Sequence, residues 1–79
     1  MEKKTFIIRR NSFMEIIVNG DRKNLVEEIS VSKLLDSLEI KRVALAVELN
    51  KQILPKTEYD KTILKDGDVI EIVQFVGGG

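Results

Sequence analysis

The sequence predicts an α+β domain: a mixed sheet built in the order ββαβββ, with one helix packed on one of its faces. Three observations carry this. Asn19-Gly20, inside MEIIVNGDRKNL, is a hairpin turn between two strands. Val31, Leu34, Leu35 and Leu38 recur at helical spacing directly behind Ser30. Asp66-Gly67-Asp68 is a turn that opens a last strand with alternating apolar residues.

Taken in order, Ile16, Ile17 and Val18 form the first strand, and the return strand begins at Leu25 and Val26, so residues 14–28 are expected as a hairpin. Ser30 suits a helix N-cap, because its hydroxyl can accept from an orphan backbone N–H. The helix behind it should run for two to two and a half turns. A helix this short is marginal alone, so its leucines must dock on the sheet. Val43 to Leu49 (VALAVEL) is almost continuously apolar, which predicts a strand covered on much of both faces. Asn50-Lys51 is read as a turn, and Gln52–Leu54 as a short strand that Pro55 terminates. Residues 56–65 show no clean period, and Tyr59, Ile63 and Leu64 are the expected core anchors there. In the last strand, Val69 to Phe75, alternation puts Ile70 and Ile72 in the core and Val73 and Phe75 on the opposite face.

Seventy-nine residues suffice for one domain with a thin core and no deep pocket of its own. Cysteine and histidine are both absent. The usual general base, the thiol nucleophile and the common zinc ligands are therefore missing, and neither a catalytic nor a metal site is assigned. The acidic residues are scattered singly among lysines, and Asp66 and Asp68 are read as turn formers, because a hard cation needs more oxygens than they offer. Residues 1–13 hold four basic residues against Glu2, a charge of +3, while residues 14–79 hold nine basic and twelve acidic residues, a charge of −3. A net negative domain is a poor partner for a phosphate backbone, so no nucleic acid is expected. No apolar run reaches the roughly 20 residues of a membrane span, so no membrane role is expected and the location should be cytoplasmic.

The chain ends Phe75-Val76-Gly77-Gly78-Gly79, with three of its five glycines in the last three places. Such a run adds nothing to stability, since glycine has the most backbone entropy to lose. It is well made for threading a narrow channel, and from Val76 to Gly79 it spans about 13 Å when extended. A floppy end or a cloning scar is the plain alternative. Against it, the glycines follow directly on the final strand, whose Val73 and Phe75 are placed to meet a partner.

From MEIIVNG at its start through LNKQILPK and the DGD turn to the terminal glycines, residues 14–79 resemble the ThiS family of sulfur carriers of thiamine biosynthesis. The resemblance implies a ubiquitin-like β-grasp fold in which the chain carries and does not catalyse. It implies that a ThiF-like adenylating enzyme activates the carboxylate of Gly79 with ATP and magnesium. A sulfur donor drawing on a cysteine desulfurase then displaces AMP to leave a thiocarboxylate, and a ThiG-like thiazole synthase consumes the sulfur. Val76, Gly77 and Gly78 would thread the partner's active site, Val73 and Phe75 would dock on it, and the carrier itself would bind no cofactor. The small subunit of molybdopterin synthase, a ubiquitin-like protein modifier and an inert β-grasp interaction module are the alternatives. The compact length of residues 14–79 and the LNKQILP segment favour the thiamine branch. The implied organisation is a β-grasp domain over 14–75, a flexible glycine tail over 76–79, and an N-terminal extension over 1–13. That extension has no counterpart in the family, so it is expected to be dispensable, an upstream-translated or cloning-derived addition.

Overall fold

The computed structural model describes residues 14–43 and 45–75. The extension 1–13, Ala44 and the tail 76–79 lie outside the described residues, and with them the expectations placed on those positions. The elements are β1 (Met14–Val18), β2 (Asp21–Leu25), α1 (Val31–Ser37), β3 (Leu45–Leu49), β4 (Gln52–Leu54), a 3₁₀ turn (Lys56–Glu58) and β5 (Val69–Gln74). The five strands form one sheet in the order β2-β1-β5-β3-β4. β1 and β5 run parallel and the other neighbours antiparallel, so the sheet is mixed, as expected.

Both hairpins close through two-residue turns, Asn19-Gly20 and Asn50-Lys51. All four of these residues have positive φ, between 50° and 87°. That is the turn whose twist matches paired strands, and asparagine and glycine enter it at low cost. Closure is immediate, Val18 pairing with Asp21 and Leu49 with Gln52. The return strand β2 therefore begins at Asp21, not at Leu25 as expected. Leu25 is its last residue, and Val26 stands outside it at 77% exposure. The polar run DRKNL conceals the strand, because an edge strand exposed along most of its length has no apolar alternation to show.

Ser30 caps α1 as predicted, its hydroxyl accepting from the Lys33 amide at 3.0 Å. The helix stops after seven residues in a Schellman motif. The Ile40 amide donates to the Leu35 carbonyl, and the Glu39 amide donates to that of Asp36. Glu39 holds the left-handed position, φ 58°, usually given to glycine. Among the described residues, Val31, Leu34 and Leu35 are buried with Ile16, Val18, Leu45, Val47, Tyr59, Leu64, Ile70 and Ile72, a core of eleven side chains between helix and sheet. Leu38, Ile40, Leu49 and Leu54 pack at its margin.

Two expectations about burial fail. VALAVEL is not a strand covered on both faces. Leu45 and Val47 are buried, Ala46 and Glu48 on the other face are only half-buried, and Val43 lies before the strand, largely exposed. Among the described residues a single helix covers the sheet, and it leaves the other face open whatever the run of apolar residues suggests. Ile63 is no core anchor either. It makes an isolated bridge to Ser30 that turns its side chain outward, while its neighbours Tyr59 and Leu64 are buried.

Beside the helix, Ser32 is buried and donates to Asp60, and Arg42 donates to the Ser32 carbonyl and the Asp36 carboxylate. Burial raises the pKa of the neighbouring Tyr59, an effect that the positive charge of Arg42 opposes. None of the described helices is long and apolar enough to cross a membrane.

Candidate functional site

β5 leads into the glycine run, and it is the central strand of the sheet. β1 lies parallel on one side, with Ile17 and Val18 in register with Val69 and Ile70. β3 lies antiparallel on the other, pairing from Leu49↔Ile70 to Leu45↔Gln74. The two hairpin turns then finish what the strands leave undone.

Toward β1, the ladder would end at Val18, but the side chain of Asn19 substitutes for a further peptide group. Its Oδ1 accepts from the Ile72 amide at 2.6 Å, and its Nδ2 donates to the Ile72 carbonyl at 3.1 Å. Toward β3, Asn50 holds the start of the strand with its backbone and side chain together. Its backbone N–H donates to the Val69 carbonyl at 2.7 Å, and its Oδ1 accepts from the Val69 amide at 2.9 Å. β5 is thus clamped at its start, Val69, and just past its middle, Ile72, by the asparagines of two turns.

The expected turn at Asp66-Gly67-Asp68 secures the entry to the strand. Asp66 accepts from the Glu15 amide, and the Gly67 amide donates to the Glu15 carbonyl, both at 2.8 Å. Asp68 accepts from the Lys65 amide at 2.8 Å and from Asn50 Nδ2 at 3.1 Å. Both aspartates are thus committed to the turn, which is the part predicted for them.

Alternation along β5 falls as predicted. Ile70 and Ile72 are buried, whereas Val73 and Phe75 stand out at 49% and 60% exposure. Val76, Gly77, Gly78 and Gly79 lie outside the described residues. Among the described residues there is no cavity and no cluster of three or more potential metal ligands. The candidate site is therefore a surface: the exit of β5 and the open face of the sheet beside it. Sequence reasoning passed over Asn19 and Asn50 as turn formers. Their signal was present, an asparagine opening each two-residue turn on either side of the tail-bearing strand.

The model of the ThiS family matches residues 16–79, most of the chain and the whole of the glycine run. The chain belongs to the ThiS family. It is 46% identical over 50 residues to the sulfur carrier protein ThiS of Bacillus subtilis, covering 63% of this chain and 76% of that protein. The crystal structure of thiamine biosynthesis protein ThiS from Geobacter metallireducens superposes with a TM-score of 0.71 at 36% identity, covering 84% of this chain and all of that one. The five-stranded mixed sheet with its helix is therefore the ubiquitin-like β-grasp fold of ThiS. A thiazole synthase of Paramagnetospirillum magneticum is 39% identical over 66 residues, which cover 84% of this chain. The chain spans only 20% of that synthase's length.

Proposed function

We propose that this chain is a sulfur carrier of thiamine biosynthesis whose working group is the carboxylate of Gly79. The observation that carries the reading is a family match running to residue 79, on a fold whose central, doubly clamped strand feeds the glycine run. A carboxylate is a poor acyl donor. In the proposed cycle a ThiF-like enzyme therefore uses ATP with magnesium to join the Gly79 carboxylate to AMP, releasing pyrophosphate. A persulfide supplied through a cysteine desulfurase attacks the acyl carbon with its outer sulfur, and AMP departs. A thiol then attacks the inner sulfur of the resulting acyl disulfide, forming a disulfide with the donor and freeing the thiocarboxylate on Gly79. Thiazole synthase then takes the sulfur. The similarity of this chain to a segment of a thiazole synthase supports that partner. Val76, Gly77 and Gly78 thread the partner's channel, the glycines as unhindered backbone, while Val73 and Phe75 contact its rim. The chain contributes no catalytic side chain and binds no cofactor of its own, and the cycle runs in the cytoplasm.

The test is the intact mass of the chain after incubation with the adenylating enzyme, ATP, magnesium and a sulfur donor. The expected product shows one oxygen-for-sulfur exchange at Gly79. Deleting Gly79, or adding one residue after it, should abolish the exchange without lowering the melting temperature, since tail residues carry little of a domain's stability. An extended or shortened chain that still accepts sulfur refutes the assignment. Thiazole auxotrophy on gene deletion distinguishes this role from the molybdopterin branch, whose loss would silence molybdenum enzymes instead.

A further inference from the structure

On the open face of the sheet, Glu48 of β3 and Glu71 of β5 are direct register partners. Side chains so placed have Cβ atoms about 4.5–5.5 Å apart, and like charges there repel. Among the described residues neither carboxylate has a cation within ion-pairing distance, the one ion pair being Arg42–Asp36 on the helix side. The immediate neighbours of the acidic pair are apolar, and Arg22, the β2 partner of Ile17, lies beyond them at the sheet edge. Ile53, across from Glu48 on β4, is 68% exposed. Ile17 and Val69 form the row toward one end of the strands, and Val73 with Ala46, followed by Phe75, the row toward the other. Two carboxylates directly opposed on a sheet face repel each other in the isolated fold, Glu71 exposed and Glu48 half-buried, and the pair becomes favourable once a cation is brought between the two groups.

We infer that this open face docks a protein surface presenting an arginine or lysine amid apolar side chains, the cation seating between Glu48 and Glu71, and that this surface belongs to thiazole synthase. A second copy of the chain would set the same acids against each other. A phosphate backbone or an anionic lipid surface would be repelled. A basic protein surface satisfies both the charge and the apolar rows. Thiazole synthase is chosen because a segment like this chain occurs within a thiazole synthase polypeptide. The inference rests on the function proposed above and adds the electrostatic part of its partner recognition.

The experiment titrates the full chain into the thiazole synthase of the same organism, at low and at physiological salt. Variants are Glu48→Gln, Glu71→Gln and their combination, with Phe75→Ala as the apolar comparator and Lys33→Gln on the helix as control. The double variant should bind about tenfold or more weakly and lose most of its salt dependence. It should melt no lower than the parent chain, because a repulsion is removed. Affinity within about twofold of the parent with unchanged salt dependence overturns the inference, above all if Phe75→Ala still weakens binding. So does a chain starting at Met14 that binds more than about tenfold tighter, if the gain vanishes in the double variant. That result assigns the acidic pair to the basic residues of segment 1–13. Absence of binding by the parent chain overturns it too, and sulfur loading of Gly79, measured in parallel, then shows whether the carrier reading falls with it.

Discussion

Replacing Asn19 with glycine removes two hydrogen bonds from β5 while leaving the turn conformation accessible. Asn19 sits at φ 50°, which glycine adopts without strain. The lost contacts are those to the amide and carbonyl of Ile72, at 2.6 and 3.1 Å. Each is worth about 0.5–1.5 kcal/mol net, so the pair contributes about 1–3 kcal/mol. The added backbone entropy of glycine costs roughly 0.5–1 kcal/mol more. Asn19 is itself exposed, so water partly replaces what is lost, and the expected total is about 2 kcal/mol, a large share of a small domain's stability. Asn19→Ala should cost about 1 kcal/mol beyond that, because a Cβ is disfavoured in the left-handed region. Urea unfolding gives the totals, and amide hydrogen exchange locates them. The Ile72 amide should lose protection in both variants, whereas that of Ile70, whose carbonyl accepts from the Asn19 backbone, should keep it. A destabilisation under about 0.5 kcal/mol with Ile72 still protected would show that the side chain extends no ladder.

Glu39→Gly should stabilise the domain by up to about 1 kcal/mol, since the Schellman position at φ 58° relieves more strain than glycine loses in entropy; thermal melts check the sign. Burial raises the Tyr59 pKa above its ordinary value of 10.0, so its contribution to stability is complete below that pH and is lost as pH rises through the raised folded value. Urea midpoints at successive pH values should fall across that alkaline range, and Tyr59→Phe should flatten the fall. A chain beginning at Met14 should lose no more than about 1 kcal/mol of unfolding free energy and accept sulfur at an unchanged rate, because the buried side chains of the described core come from residues 16–72. A loss of several kcal/mol would mean that Phe6, Ile7, Ile8 or Phe13 packs on the domain.

Where a feature of this fold is written in local chemistry, the sequence discloses it. Asn19-Gly20 can hardly be anything but a tight hairpin turn, and Ser30 followed by Val31, Leu34 and Leu35 states both the start and the buried stripe of the helix. The alternation of Ile70 and Ile72 with Val73 and Phe75 needed only the period of a strand. What stayed hidden depends on neighbours distant in the chain. DRKNL is a strand because β1 offers it a partner, not because of its own pattern. Val43 and Ile63 read as core by composition, yet both lie in connections outside the strands and the helix, where the backbone turns them to solvent. In the candidate site, Val73 and Phe75 were legible from alternation, whereas the Glu48–Glu71 juxtaposition exists only in the register of β3 against β5.

The clamping of β5 also sets how the domain answers tension. A pull applied through Phe75 acts along the axis of a strand held on one side by β1 and Asn19 and on the other by β3 and Asn50. The load falls on both ladders and both asparagine clamps in shear, so that many bonds must fail together and not one after another, as they would if an edge strand were peeled away. Drawing a tail out of a narrow channel would therefore strip the tail from its partner before it unravelled the domain that carries it.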